Sequence, residues 1–238
     1  MKFHKEYLDL VFVPSGLLIM FAYHLFLLYK YINQPHNTVM GFENNDKRIW
    51  VERIMQADNR DVSTALSVLQ SNTTAATFLA SVSLTLCSLI GAWIANSSNI
   101  FFQSHLIYGD TRSTAISIKY ICLLTCFLLA FSCFVQSARH FVHANYLIST
   151  PDSSTSFPVS SVEIAVIRGG DFWSLGLRAL YFALNLLLWF FGPIPMFICS
   201  VAMVLLLNYL DSNSRPLHSK SNGFHGSQFQ IPKRGFNL

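Results

Sequence analysis

His140 and His143 stand three residues apart in the stretch ARHFVHANYLI, directly after Arg139. On a helix that spacing puts both imidazoles on one face, the way a transition metal is offered two ligands. A metal site takes three or four ligands, and His4, His36, His105, His218 and His225 have no spacing that would complete the set. No metal or cofactor is therefore expected, and contact with lipid headgroups is the favoured reading for Arg139, His140 and His143. Asp171 could serve His140 in acid–base work, but the chain has no G-x-S-x-G, H-E-x-x-H, P-loop or G-x-G-x-x-G pattern, and it is not expected to be an enzyme.

Two further features sit in apolar surroundings. His24 is the one ionisable residue deep within an apolar run. A relay or haem ligand is the sharper reading, and a hydrogen bond to a neighbouring helix is the expected one. With no other deep charge, a proton-coupled pump or carboxylate-gated cation channel is not expected. The second feature is LLLWFFGPIPMFICS, where Gly192, Pro193 and Pro195 interrupt a lipid-soluble segment. In a continuous helix, Pro193 and Pro195 would leave the carbonyls of Trp189 and Phe191 without partners. Unpaired groups cost several kcal/mol each in hydrocarbon, so this face should turn toward protein or water. A kink between Trp189 and Pro195 is expected, with His24, Ser81 or Thr85 as donors.

The elements that must position these residues are apolar helices. Of 238 residues, 52% are hydrophobic and only 12% charged, with 21 Phe and a mean hydropathy of +0.41. A soluble domain carries roughly twice that charged fraction. Four windows are free of Lys, Arg, Asp and Glu for long enough to cross a bilayer: 10–29, 75–95, 120–136 and 179–210. The first is read as a retained helix rather than a signal peptide, because its apolar run is long and no A-x-A-like site follows. Cys87, Cys122, Cys126, Cys133 and Cys199 all fall inside these spans and behave there as small apolar groups. Small residues at i+4 steps, Ser83, Cys87, Gly91 and Ala95, face a matching set at Cys122, Cys126, Ala130 and Cys133, so the second and third spans should pack face to face.

Four spans would put both termini on one side. Lys and Arg then divide eight against eight, a tie on which the positive-inside rule favours neither orientation; the termini are taken as cytosolic. Between the first two spans, KRIWVERIMQ has Ile49, Trp50, Ile54 and Met55 at helical spacing. It reads as a helix lying in the interface or, equally, as one packed on the ends of the bundle. ARHFVHANYLI continues the third helix beyond the membrane, and STPDSSTSFPVSS is a linker. In VEIAVIRGGDFWSLGLR, a short helix should break at Gly169 and Gly170, with Asp171 capping the next and Phe172 and Trp173 marking its entry into the interface. The tail, 211–238, is read as disordered.

The segments LDLVFVPSGLLIMFAYH, NTVMG, RIWVERIM, NTTAATFLA, FLLAFSCFVQSARHFVHANYLI and RGGDFWSLGLRALYFALNLLLWFFGPIPMF, in this order, resemble the plant membrane proteins of domain-of-unknown-function family 599. The resemblance covers about residues 7–210, and Asn185 stands where the family pattern has a proline. It implies a plant multi-span membrane protein and no particular activity. The expectation is an all-α, integral membrane four-helix bundle over 1–210, with a kinked fourth span and one or two interfacial helices. Its function is read as that of a non-enzymatic membrane component or interaction protein. The runner-up is a small oligomeric channel or carrier for an uncharged or anionic solute. Expected partners are the lipid bilayer, unknown proteins and further copies of the chain. Nucleic acid is not expected, because the +4 net charge is spread over both sides.

Overall fold

The computed structural model describes residues 5–56, 59–96, 112–149 and 159–212. The linker around 150–158, the loop 97–111 and the tail from 213 onward lie outside the described residues. Among the described residues, six α-helices follow one another: α1 Lys5–Asn33, α2 Val39–Ile54, α3 Asn59–Asn96, α4 Ser113–Ser149, α5 Val159–Trp189 and α6 Pro193–Asp211, with a short 3-10 turn at Pro35–Asn37. Among the described residues, five helices are long and apolar enough to cross a membrane, all but α2.

Five replaces the expected four because the segment 159–211 is two helices. α5 ends at Trp189 and α6 begins at Pro193. Gly192 between them has φ 144° and ψ 167°, a conformation essentially confined to glycine. Pro193 and Pro195 then fall in the first turn of α6, where a missing N–H leaves no hydrogen bond unmade. The chain reverses instead of kinking. Arg178 of α5 and Asp211 of α6 meet at the far end of the hairpin, 2.9 Å apart, so the two helices are antiparallel.

α6 lies parallel to α1. Phe12 meets Phe197 edge-on at 5.3 Å, a Cβ on Gly16 would touch Ser200, and the Tyr23 hydroxyl donates to Asp211 at 2.8 Å. α4 and α5 are antiparallel and close: Phe134 packs over Gly176 and Phe141 over Gly169, and neither glycine has room for a Cβ. The described ends, Lys5 and Ser212, therefore fall at opposite ends of the bundle, where four spans had implied the same end. At one end lie the α5–α6 turn and the start of α4. At the other, α2 and the extensions of α3, α4 and α5 form a headpiece.

α3 and α4 pack together, as the small-residue stripes implied, but on a slightly different line. The buried residues of α3 run Ala76, Ala80, Ser83 and Ile90, with Cys87 packed against the core. That is a 3.5-residue repeat, which keeps one seam facing a partner. Steps of four drift off it, and a Cβ on Gly91 would meet nothing within 4 Å. Outward faces are apolar: α1 alone exposes Leu10, Leu18, Phe21, Leu25, Phe26 and Leu28. A continuous surface of that kind suits hydrocarbon and not water.

Candidate functional site

The turn of the α5–α6 hairpin satisfies its own backbone. The Trp189 carbonyl accepts from the Gly192 amide at 3.2 Å and from Lys119 Nζ at 3.3 Å. Lys119, near the start of α4, is only 2% exposed. Its ammonium also sits 5.2 Å from the centre of the Trp189 ring. A cation at a helix C-terminus is where the helix dipole favours it, and the indole face adds a second attraction. The expected donors do other work: Ser81 bonds the Thr77 carbonyl and Thr85 the Ser81 carbonyl, each at the i−4 position of its own helix. Phe190, Tyr120 and Trp93 close around the turn, with Tyr120 and Phe190 ring centres 4.8 Å apart. Pro193 and Met196 are buried against this cluster.

Near the headpiece end of the hairpin, next to Tyr23, His24 makes no hydrogen bond to another helix among the described residues. Its Nδ1–H donates to the Met20 carbonyl one turn earlier at 2.7 Å, and its ring lies 5.0 Å from Phe182 of α5. Asn185, one turn further along α5, is fully buried, and neither its amide nitrogen nor its oxygen has a partner among the described residues. α5 runs through Asn185 without a break. At the headpiece boundary, Arg178 grips both carboxylate oxygens of Asp211, at 2.9 and 3.1 Å, while Tyr23 holds one of them. Three helices, α1, α5 and α6, are tied by this one carboxylate.

The headpiece places the remaining candidates. KRIWVERIMQ lies within α2, which packs on the end of the bundle: Val51 is fully buried, and Trp50, Ile54 and Met55 sit against a core that includes Phe141, Leu147 and Val162. Of the two readings left open by sequence, the packed one holds. The junction from α1 into α2 is fixed by Thr38, whose hydroxyl donates to the Pro35 carbonyl at 2.8 Å and accepts from the Gly41 amide at 3.2 Å. The Thr38 backbone also bridges to Ser212, beyond α6.

Gly169 and Gly170 do not break a helix. α5 is continuous from Val159, and both glycines are buried, Gly169 against Phe141 and Gly170 against the Lys47 side chain. Glycine here gives neighbouring elements close approach. Asp171 is consequently no helix cap; it accepts from the Asn44 amide at 3.1 Å and so joins α5 to α2. Arg48 pairs with Glu163 at 2.8 Å in a second link between the same helices. Trp173, half-buried, packs edge-on over Phe134, 5.6 Å between ring centres.

Arg139, His140 and His143 lie on the headpiece extension of α4, and the structure adds one residue that spacing alone did not show. Arg168 of α5 comes within electrostatic reach of His140, together with Arg139 and His143. Only the antiparallel register of α4 against α5 brings 139–143 level with 168–172. Among the described residues, no three His, Cys, Asp or Glu groups gather as metal ligands would.

Five apolar helices, a sealed hairpin turn and a polar headpiece define a multi-pass helical membrane protein. Within that class, the family model described as "Protein of unknown function, DUF599" matches residues 11–216, and the chain belongs to that family. Neither the curated proteins nor the solved structures provide a match.

Proposed function

We propose that this protein is a non-enzymatic component of a membrane, inserted with its headpiece toward the cytosol and acting there on lipid or protein partners. One observation carries the reading, the distribution of basic residues over the two ends. Among the described residues, Lys5, Arg112 and Lys119 belong to the end with the hairpin turn. Lys30, Lys47, Arg48, Arg53, Arg60, Arg139, Arg168 and Arg178 belong to the headpiece end. Eight against three is the asymmetry that the positive-inside rule associates with a cytosolic face. The reversal at Gly192 brings Ser212 to the headpiece end as well, where four spans would have ended the chain at the other.

The spans themselves offer little to a solute. The break at Gly192 to Pro195 is filled by Lys119, Trp189, Phe190 and Tyr120. The shallow groove along α3, lined by Ser67, Gln70, Ser71 and Thr74, is open to the outside. Its Ser71 and Thr74 hydroxyls are already bonded to their own helix. A channel or carrier gains no support from this arrangement.

A fluorescent reporter fused in turn to each terminus, on sealed vesicles exposed to an impermeant quencher, tests the reading. The expected result is an N-terminal reporter on the side opposite the headpiece and a C-terminal reporter in the cytosol. Both reporters on one side, or a headpiece facing away from the cytosol, overturns it.

A further inference from the structure

The headpiece gathers one set of cations that the fold does not neutralise. Arg139 and His143 of α4 and Arg168 of α5 are exposed, and none has an ion-pair or hydrogen-bond partner among the described residues. His140 between them is stacked on Phe172, ring centres 5.5 Å apart and planes within 12°, which fixes its ring at the seam between the helices. α4 contains no acidic residue at all. Of the two on α5, Glu163 is paired with Arg48, and Asp171 is turned to Asn44 of α2 and is not among the charges that act on His140. Cations collected without a counter-charge repel one another, and an anion between them removes that cost.

Their height relative to the bilayer narrows the anion. α6 has 19 residues, about 28 Å of helix, which matches a hydrocarbon core of about 30 Å and sets its boundary near Asp211; the same length measured back from Trp189 reaches about residue 171 of α5, and Arg178 extends its side chain up to Asp211. Phe134 opposite Gly176 and Phe141 opposite Gly169 place Arg139 level with about residue 171 of α5. The cluster thus begins at about the boundary, at Arg139, and its backbone reaches about 5 Å beyond it at Arg168. Side chains on a helix lean toward its N-terminus, so Arg139 and His140 on α4 lean toward the membrane, and Arg168 on α5 leans into water. The headgroup layer is about 5–8 Å deep on each side, so Arg139 lies at its inner edge and the Arg168 side chain reaches its outer edge. A ligand meeting both ends of the cluster carries one phosphate at the membrane surface and another further out.

We propose that Arg139, His140, His143 and Arg168 bind the phosphorylated-inositol headgroup of a membrane lipid, Arg139 and His140 at the phosphodiester and Arg168 and His143 at the outer phosphate. Arginine favours this chemistry through its planar fork of donors. The proposal rests on the cytosolic headpiece for access to such lipids, but its test does not, because a micelle has no sides.

The full chain in detergent micelles is titrated with phosphatidylinositol phosphate, phosphatidylinositol, phosphatidylcholine and a soluble inositol phosphate, with bound lipid read by native mass spectrometry. The expected order places phosphatidylinositol phosphate first, with binding about tenfold weaker for each of Arg139→Gln and Arg168→Gln. Arg53→Gln, on the exposed face of α2, should bind as the native chain does. Thermal transitions in phosphatidylcholine micelles, unchanged in all three variants, confirm that each is folded. Equal binding of phosphatidylinositol and its phosphate, or an Arg139→Gln/Arg168→Gln chain that binds as tightly as the native one, refutes the site. So does equal weakening by Arg53→Gln, which would mark general charge attraction. Soluble inositol phosphate bound as tightly as the lipid refutes the assignment to a membrane lipid.

Discussion

Replacing Asp211 should loosen three helices at once. Its carboxylate accepts two hydrogen bonds from Arg178 and one from Tyr23, and the paired side chains of Arg178 and Asp211 are 17% and 19% exposed. Removing one partner of a fully buried pair costs about 3–5 kcal/mol, because the other charge is left without compensation. The residual exposure here admits water to Arg178, so Asp211→Leu is expected to cost about 2–3 kcal/mol. Asp211→Asn keeps an acceptor for Tyr23 and should cost about 1–2 kcal/mol. The double variant Arg178→Met/Asp211→Leu removes both charges and should be more stable than the sum of the single changes by about 2 kcal/mol. Ordinary interhelical hydrogen bonds in bilayers average about 0.6 kcal/mol, so a coupling of that size distinguishes an ion pair holding the hairpin from a generic polar contact. Reversible unfolding by SDS in mixed micelles measures each corner of the cycle. Coupling below about 0.5 kcal/mol, or an Asp211→Leu chain as stable as the native one, refutes the reasoning.

Two other changes probe the joints of the fold. Gly192→Ala forces a Cβ onto a backbone with φ 144° and is expected to cost about 1–3 kcal/mol in the same SDS unfolding assay, while a substitution at Gly91, open on its Cβ side, should cost about 0.5 kcal/mol or less. Thr38→Val removes the side-chain cap of α2 and its bond to Pro35; about 1 kcal/mol of stability should be lost, with faster hydrogen exchange confined to the first turn of α2.

Membrane class, helical content and the extension of α4 into the headpiece were legible in the sequence, because apolar length and 3.6-residue periodicity are local signals. The fifth crossing was not. A charge-free window finds helices whose polar groups have no partners, and α5 carries Asp171 and Arg178, each satisfied by a residue far away in the chain, Asn44 and Asp211. Without those partners in view, the charges push the start of the span down to Ala179 and make 179–210 look like one long helix. The glycine pair at 169–170 misled for a related reason. Glycine signals a break when it sits at an end and close approach when it sits in a packed interior, and Phe141 and Lys47 decide between these from elsewhere in the chain.

The same logic explains why the proline pair located the right place and suggested the wrong geometry. Proline inside a helix and proline at its first turn look alike in sequence, and the discriminating residue is the one before. Gly192 can take a backbone conformation that ends one helix and starts another, and Lys119 then supplies a cation to the carbonyl exposed at the end of α5. Lys119, the residue just before the charge-free window 120–136, is part of the hairpin turn. Arg168 became visible in the same way, once the register of α4 against α5 set it beside Arg139 and His140. In a chain whose spans carry so little charge, the residues that define architecture and the residues free for a ligand are of the same few types. What separates them is whether a partner is present: Arg178 has Asp211 and Arg48 has Glu163, whereas Arg139 and Arg168 have none among the described residues. That difference makes the α4–α5 seam the place to look for what this protein binds.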